Sequence, residues 1–148
     1  MLLQILRPAR ILAILLVGFG TFSSFSIKTG GDSFEVYLNK KLLIQQFISK
    51  GEAAKSISLN AANANDELEI YYSHCGQTGT DRSISLRDAQ NRILKQWRFQ
   101  DSPGVRTSMN CGIKDLLNVQ KNTESSTLQL VYASHELPEG RVLAVIAK

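Results

Sequence analysis

Beyond residue 30, apolar and polar residues alternate with a period of two over several short stretches, the spacing of half-buried β-strands. Phe34, Val36 and Leu38 alternate with Glu35, Tyr37 and Asn39. Residues Lys41 to Ile48 follow at once, so the two runs predict a hairpin turning at Asn39-Lys40. Ser56 to Leu59 predicts a brief strand, and the Asn/Ala-rich run 60–66 a loop. Leu68, Ile70 and Tyr72 alternate with Glu69 and Tyr71, a strand that runs into His74 and Cys75. Ser83 to Arg87 and Ile93 to Phe99 form a second predicted hairpin. Asp88 caps its turn and Asn91 takes positive φ. Ser102-Pro103-Gly104 ends the returning strand. Ile113, Leu116 and Leu117 fall at helical spacing and predict a short helix over 112–120. Thr127 to Ala133 alternates again, Leu137 to Gly140 has the chemistry of a turn, and Val142 to Ala147 is nearly continuously apolar, as in a central strand.

About seven or eight strands with frequent turns predict a mostly all-β domain, an antiparallel β-sandwich. A small β-barrel is the alternative, because period alone does not separate the two.

The first 26 residues differ from the rest. Met1 to Arg10 holds Arg7 and Arg10 and no acid, Ile11 to Phe19 is wholly apolar, and Ser23, Ser24 and Ser26 supply small residues. That order predicts a cleavable signal peptide over 1–26 and a single exported domain over 27–148, periplasmic or secreted. The apolar run is shorter than the roughly 20 residues a spanning helix needs, so no stable membrane span is expected after cleavage; an uncleaved anchor is the competing reading. The formal net charge of +4 includes the two leader arginines, which leaves the domain nearly balanced. The longest basic run is Lys40-Lys41, so no nucleic-acid partner is predicted.

Export makes the two cysteines, Cys75 and Cys111, a predicted disulfide. Such a bridge would close a loop of about 35 residues and contribute roughly 3–4 kcal/mol. The familiar catalytic and phosphate-binding motifs are absent, and His74 and His135 are the two histidines. His74, Met109 and His135, with or without the thiols, make an alternative copper or zinc set. Against it, neighbouring residues on a strand face opposite sides. Asp81, Asp88 and Asp101 fit turn caps better than an acid/base pair, and no serine is seen to sit on a strained turn beside a histidine. Tyr37 and Tyr71 fall on the polar parity of their strands, and with Trp97 they form a candidate recognition set. The expectation is a non-enzymatic envelope or secreted module without a cofactor, binding a protein or glycan. The metal-binding protein and an unrecognised hydrolase are the alternatives.

Overall fold

A computed structural model describes residues 31–48, 52–101, 104 and 106–147. The predicted signal peptide lies outside the described residues. Nine strands form two open sheets, so the architecture is a sandwich and not a closed barrel. The first sheet has the order β2(Lys41–Phe47), β1(Ser33–Leu38), β4(Glu67–Ser73), β7(Met109–Gly112). The second has the order β3(Lys55–Ser58), β9(Leu137–Ala147), β8(Thr127–Ser134), β5(Ser83–Arg87), β6(Ile93–Arg98).

Each alternation buries one face. Phe34, Val36, Leu68, Ile70 and Tyr72 of the first sheet pack against Ile84, Leu86, Leu128, Leu130 and Tyr132 of the second. Glu35, Tyr37, Glu69 and Tyr71 are left on the outer face of the first sheet, half-buried.

The predicted hairpins form as their turn chemistry requires. Asn39 and Lys40 both adopt positive φ (49° and 63°), the conformation that lets a two-residue turn follow the strand twist. At the second hairpin, Asp88 Oδ1 accepts from the amides of Gln90 and Arg92, and Asn91 has φ 63°.

Three details depart from the sequence pattern. The short strand β3 pairs in parallel with β9, Lys55–Ser58 beside Ala144–Ala147, so one pair of the sandwich is not antiparallel. Leu137 to Gly140 is not a turn. It opens β9, and the corner falls earlier, at His135-Glu136, while Gly140 (φ 76°) sits against Val131 and the Tyr132 carbonyl. A glycine can hold that backbone in a strand where a Cβ would crowd its partner. The helix α1 spans Ile113–Asn122, slightly later than the apolar spacing suggested, and closes one end of the sandwich with Ile113 and Leu116. Its buried Gln120 donates to the Ala147 carbonyl at 2.9 Å, which fastens the helix to the end of β9.

The predicted disulfide is not formed. Cys111 is fully buried on the core side of β7, where burial pushes its thiol pKa up to about 12. Cys75 is exposed just past β4, at φ 52° in a tight turn, and stands outside the core that holds its intended partner. The two sulfurs face different environments, so the staple expected from even cysteine count is replaced by packing alone.

Candidate functional site

Two polar neighbourhoods draw on the residues that the sequence singled out. The first lies where β4 and β8 end together. Asp32 immediately precedes β1, His74 follows β4, and Tyr132 and Ser134 come from β8 in the opposite sheet. His74 Nδ1 is 3.3 Å from Asp32 Oδ2. A carboxylate only accepts, so Nδ1 carries a hydrogen towards Asp32. Nε2 lies 3.0 Å from the Tyr132 hydroxyl and 3.1 Å from Ser134 Oγ. Tyr72 donates to Asp32 at 2.9 Å and stacks on Tyr132 with ring centroids 4.0 Å apart. Burial, with the Asp32 contact behind it, pushes the Tyr72 phenol far above its ordinary pKa, and burial raises that of Tyr132. Both hydroxyls therefore stay protonated donors.

This Asp32–His74–Ser134 line was invisible in the sequence, because Ser134 lies 60 residues from His74. Its composition is that of an acyl-transfer triad, but its surroundings are not. Tyr132 competes with Ser134 for the same nitrogen. Ser134 is 5 % exposed. Gly79 is packed directly over the site: a Cβ there would stand 2.6 Å from the Tyr132 hydroxyl, 2.8 Å from Glu136 Oε2 and 2.9 Å from His74 Nε2. A substrate carbonyl has no approach to Ser134 from that side. What the cluster does is join the two sheets by hydrogen bonds at their open end, satisfying polar groups that the core would otherwise strand.

The residues proposed for a metal do not assemble. Met109 is fully buried and pairs with Ile70, four residues back along β4 from His74, a separation of roughly 13 Å at strand rise. His135 is exposed at the β8–β9 corner, and no contact among the described residues places its ring beside His74 or Met109. Among the described residues, no group of three or more His, Cys, Asp or Glu side chains is placed to hold a metal ion.

The second neighbourhood is the outer face of the first sheet. Tyr37 and Tyr71 come together edge-to-face, centroids 5.9 Å apart at 84°. Tyr37 donates to Glu35 at 2.7 Å and Tyr71 to Glu69 at 2.6 Å. Gln45 donates to the other Glu35 oxygen at 3.2 Å. Arg106 enters from the loop before β7. Its guanidinium pairs with Glu35, donates to the Tyr37 hydroxyl at 3.3 Å, and lies 4.3 Å over the Tyr71 ring. The hydrogen bond with Glu69, then burial and the Glu69 charge, raise the Tyr71 phenol pKa; the Tyr37 contact raises that of Arg106.

Arg106 is held in place from below. Arg82, 2 % exposed at the start of β5, donates to the carbonyls of Gln100 at 3.0 Å and Thr107 at 3.1 Å. It thereby ties both ends of the loop that carries Arg106. Beside the tyrosines is a recess of about 220 Å³ whose lining includes Ser33, Glu35, Tyr71, Ser73, Arg106 and Thr107. Trp97 does not share this face. It lies on β6 of the other sheet, half-buried against the core, with Lys95 Nζ 5.6 Å from its ring.

Sequence parity thus located Tyr37 and Tyr71 but not the residues that organise them. Arg106 and Asp32 lie in segments without periodicity, and no local pattern marks either. Comparison with family models, curated proteins and solved structures finds no match.

Proposed function

We propose that this chain is a non-enzymatic, exported recognition module that binds an envelope protein or glycan through the outer face of its four-stranded sheet. The observation that carries the reading is the paired Tyr37 and Tyr71, fixed by Glu35, Glu69 and Arg106 on the outer, half-buried face of that sheet. Preorganised aromatic and arginine side chains are what recognition surfaces concentrate, because they supply contact area at little cost in conformational freedom. The adjoining recess favours a glycan. It offers hydroxyls, a carboxylate, a guanidinium and an aromatic edge, a mixed donor and acceptor set suited to sugar hydroxyls.

The test is a titration of ¹⁵N-labelled protein with neutral cello- and chito-oligosaccharides, followed by amide chemical shifts. The reading predicts saturable shifts confined to residues 33–37, 69–73 and 106–108. Saturable shifts elsewhere, or none with either series, would remove the glycan reading.

The hydrolase alternative has one favourable observation, the Asp32–His74–Ser134 alignment. The packing of Gly79 over Nε2 weighs against it. Turnover of an activated acetate ester that disappears in Ser134→Ala would overrule that judgement.

A further inference from the structure

The edge of the first sheet is β2, which has a strand on one side only. Three of the five exposed large apolar side chains of the described chain lie on it: Leu42 at 44 %, Leu43 at 36 % and Phe47 at 72 %. Leu42 stands opposite Tyr37 and Phe47 opposite Ser33, so both belong to the outer face. Val36 pairs with Ile44 and Tyr37 with Leu42, which leaves Leu43 as the extra residue of a bulge. A bulge interrupts the ladder and twists an edge away from a further strand. This edge is therefore poorly made for strand addition, yet it leaves three large apolar side chains in water.

The charges beside them indicate what covers them. Lys40 and Lys41 are exposed at the turn that opens β2, and they pair with no acid among the described residues. At the other end of the strand, Lys55 and Glu52 share a recess with Phe47 and balance one another. The edge is thus apolar along its length and basic at one end. The remaining two exposed apolar residues, Ile93 and Leu94, are placed differently: they adjoin Arg92 and Lys95, which are paired with Asp88 and Asp115. Apolar side chains beside unpaired lysines suit an anionic lipid surface. Its headgroups attract the ammonium groups, and the apolar side chains enter the interface. Such a surface imposes no register, so an irregular, bulged edge meets it without penalty. The path of the chain agrees. The described residues begin at Gly31, where a Cβ would stand 3.2 Å from the Ile48 carbonyl, at the Phe47 end of β2. The apolar segment Ile11–Phe19 is therefore joined to the domain at this same edge.

We infer that the β2 edge docks this domain on an anionic lipid surface, through Leu42, Leu43 and Phe47 together with Lys40 and Lys41. The contact is small, so the attachment is weak and reversible. The inference stands apart from the proposed ligand, whose Tyr37 and Tyr71 lie on the neighbouring strands β1 and β4.

Flotation of the natively purified protein with lipid vesicles tests it. The inference predicts binding to vesicles that contain phosphatidylglycerol, lost in pure phosphatidylcholine and weakened by added salt. Lys40→Glu/Lys41→Glu should bind at least about tenfold more weakly than wild type. Phe47→Ser should also weaken binding, with its salt dependence unchanged. A control with the same change in net charge, Lys114→Glu/Lys121→Glu on α1, should stay within about twofold of wild type, because charges distant from the contact are screened. All five side chains are exposed, so each variant should keep a thermal midpoint close to that of wild type. Failure to bind anionic vesicles, whether the protein stays monomeric or self-associates, would overturn the inference. So would binding that persists in pure phosphatidylcholine, equal losses in the two charge variants, or indifference to Phe47→Ser.

Discussion

At the β8–β9 corner the Glu136 carboxyl is pulled two ways. Desolvation pushes its pKa up, but hydrogen bonds from its own amide, the Thr80 amide and the Ser134 and Thr80 hydroxyls outweigh this and bring it from 4.5 down to about 2. The folded state thus favours the ionised form. The contribution is fully present above about pH 4.5 and is lost as pH falls towards 2. Glu136 is exposed, so salt screens the effect and it is modest. Glu136→Gln is expected to flatten the fall in denaturation midpoint between those pH values; an unchanged slope would contradict the assignment. The cysteines differ more sharply. In the native, non-reduced protein one thiol, Cys75, should react promptly with a disulfide reagent, and Cys111 only after denaturation. No reactive thiol in either state would reinstate the bridge. Over Gly79, the crowding by Tyr132, Glu136 and His74 predicts that Gly79→Ala destabilises by about 1–3 kcal/mol, measured by chemical denaturation.

Among the elements, strands and tight turns were legible because their signals are local. Alternation placed β1, β4 and β5, and Asn39, Asp88 and Asn91 have side chains suited to the backbone of their turns. Pairing across sheets was not legible. Nothing local says that β3 lies parallel to β9, or that Pro138 and Gly140 belong to a strand whose register is shifted by a bulge. The same limit hid the site. His74 and Ser134 meet because the interior strands β4 and β8 end together at one end of two facing sheets, which is a property of topology. Gln100 and Thr107 are a further case, since both their carbonyls accept from the buried Arg82 just before β5. Arg82→Met removes two charge-assisted hydrogen bonds to carbonyls that would be left without that donor. It should cost about 2–4 kcal/mol in unfolding free energy. It should also release Arg106 from Tyr71, read as a loss of the ring-current shift on the Arg106 side chain. A stable variant with Arg106 unmoved would show that the loop needs no tether.

As a whole molecule, the sandwich spends its inner faces on a continuous apolar core and ties its open end with the Asp32, His74 and Tyr132 hydrogen bonds. The aromatic and charged groups that remain are arranged unequally: the first sheet carries Tyr37, Tyr71 and Arg106 together on its outer side, while Trp97 of the second sheet leans into the core. Under the proposed reading, that asymmetry makes the outer face of the first sheet the recognition surface. Its most direct test is the dissociation constant of the oligosaccharide that shifts the outer-face amides, compared between wild type, Tyr71→Ala and Trp97→Ala. The account predicts at least a tenfold loss for Tyr71→Ala, about 1.4 kcal/mol, with Trp97→Ala binding as wild type. Equal losses in both variants, or none in Tyr71→Ala, would contradict it.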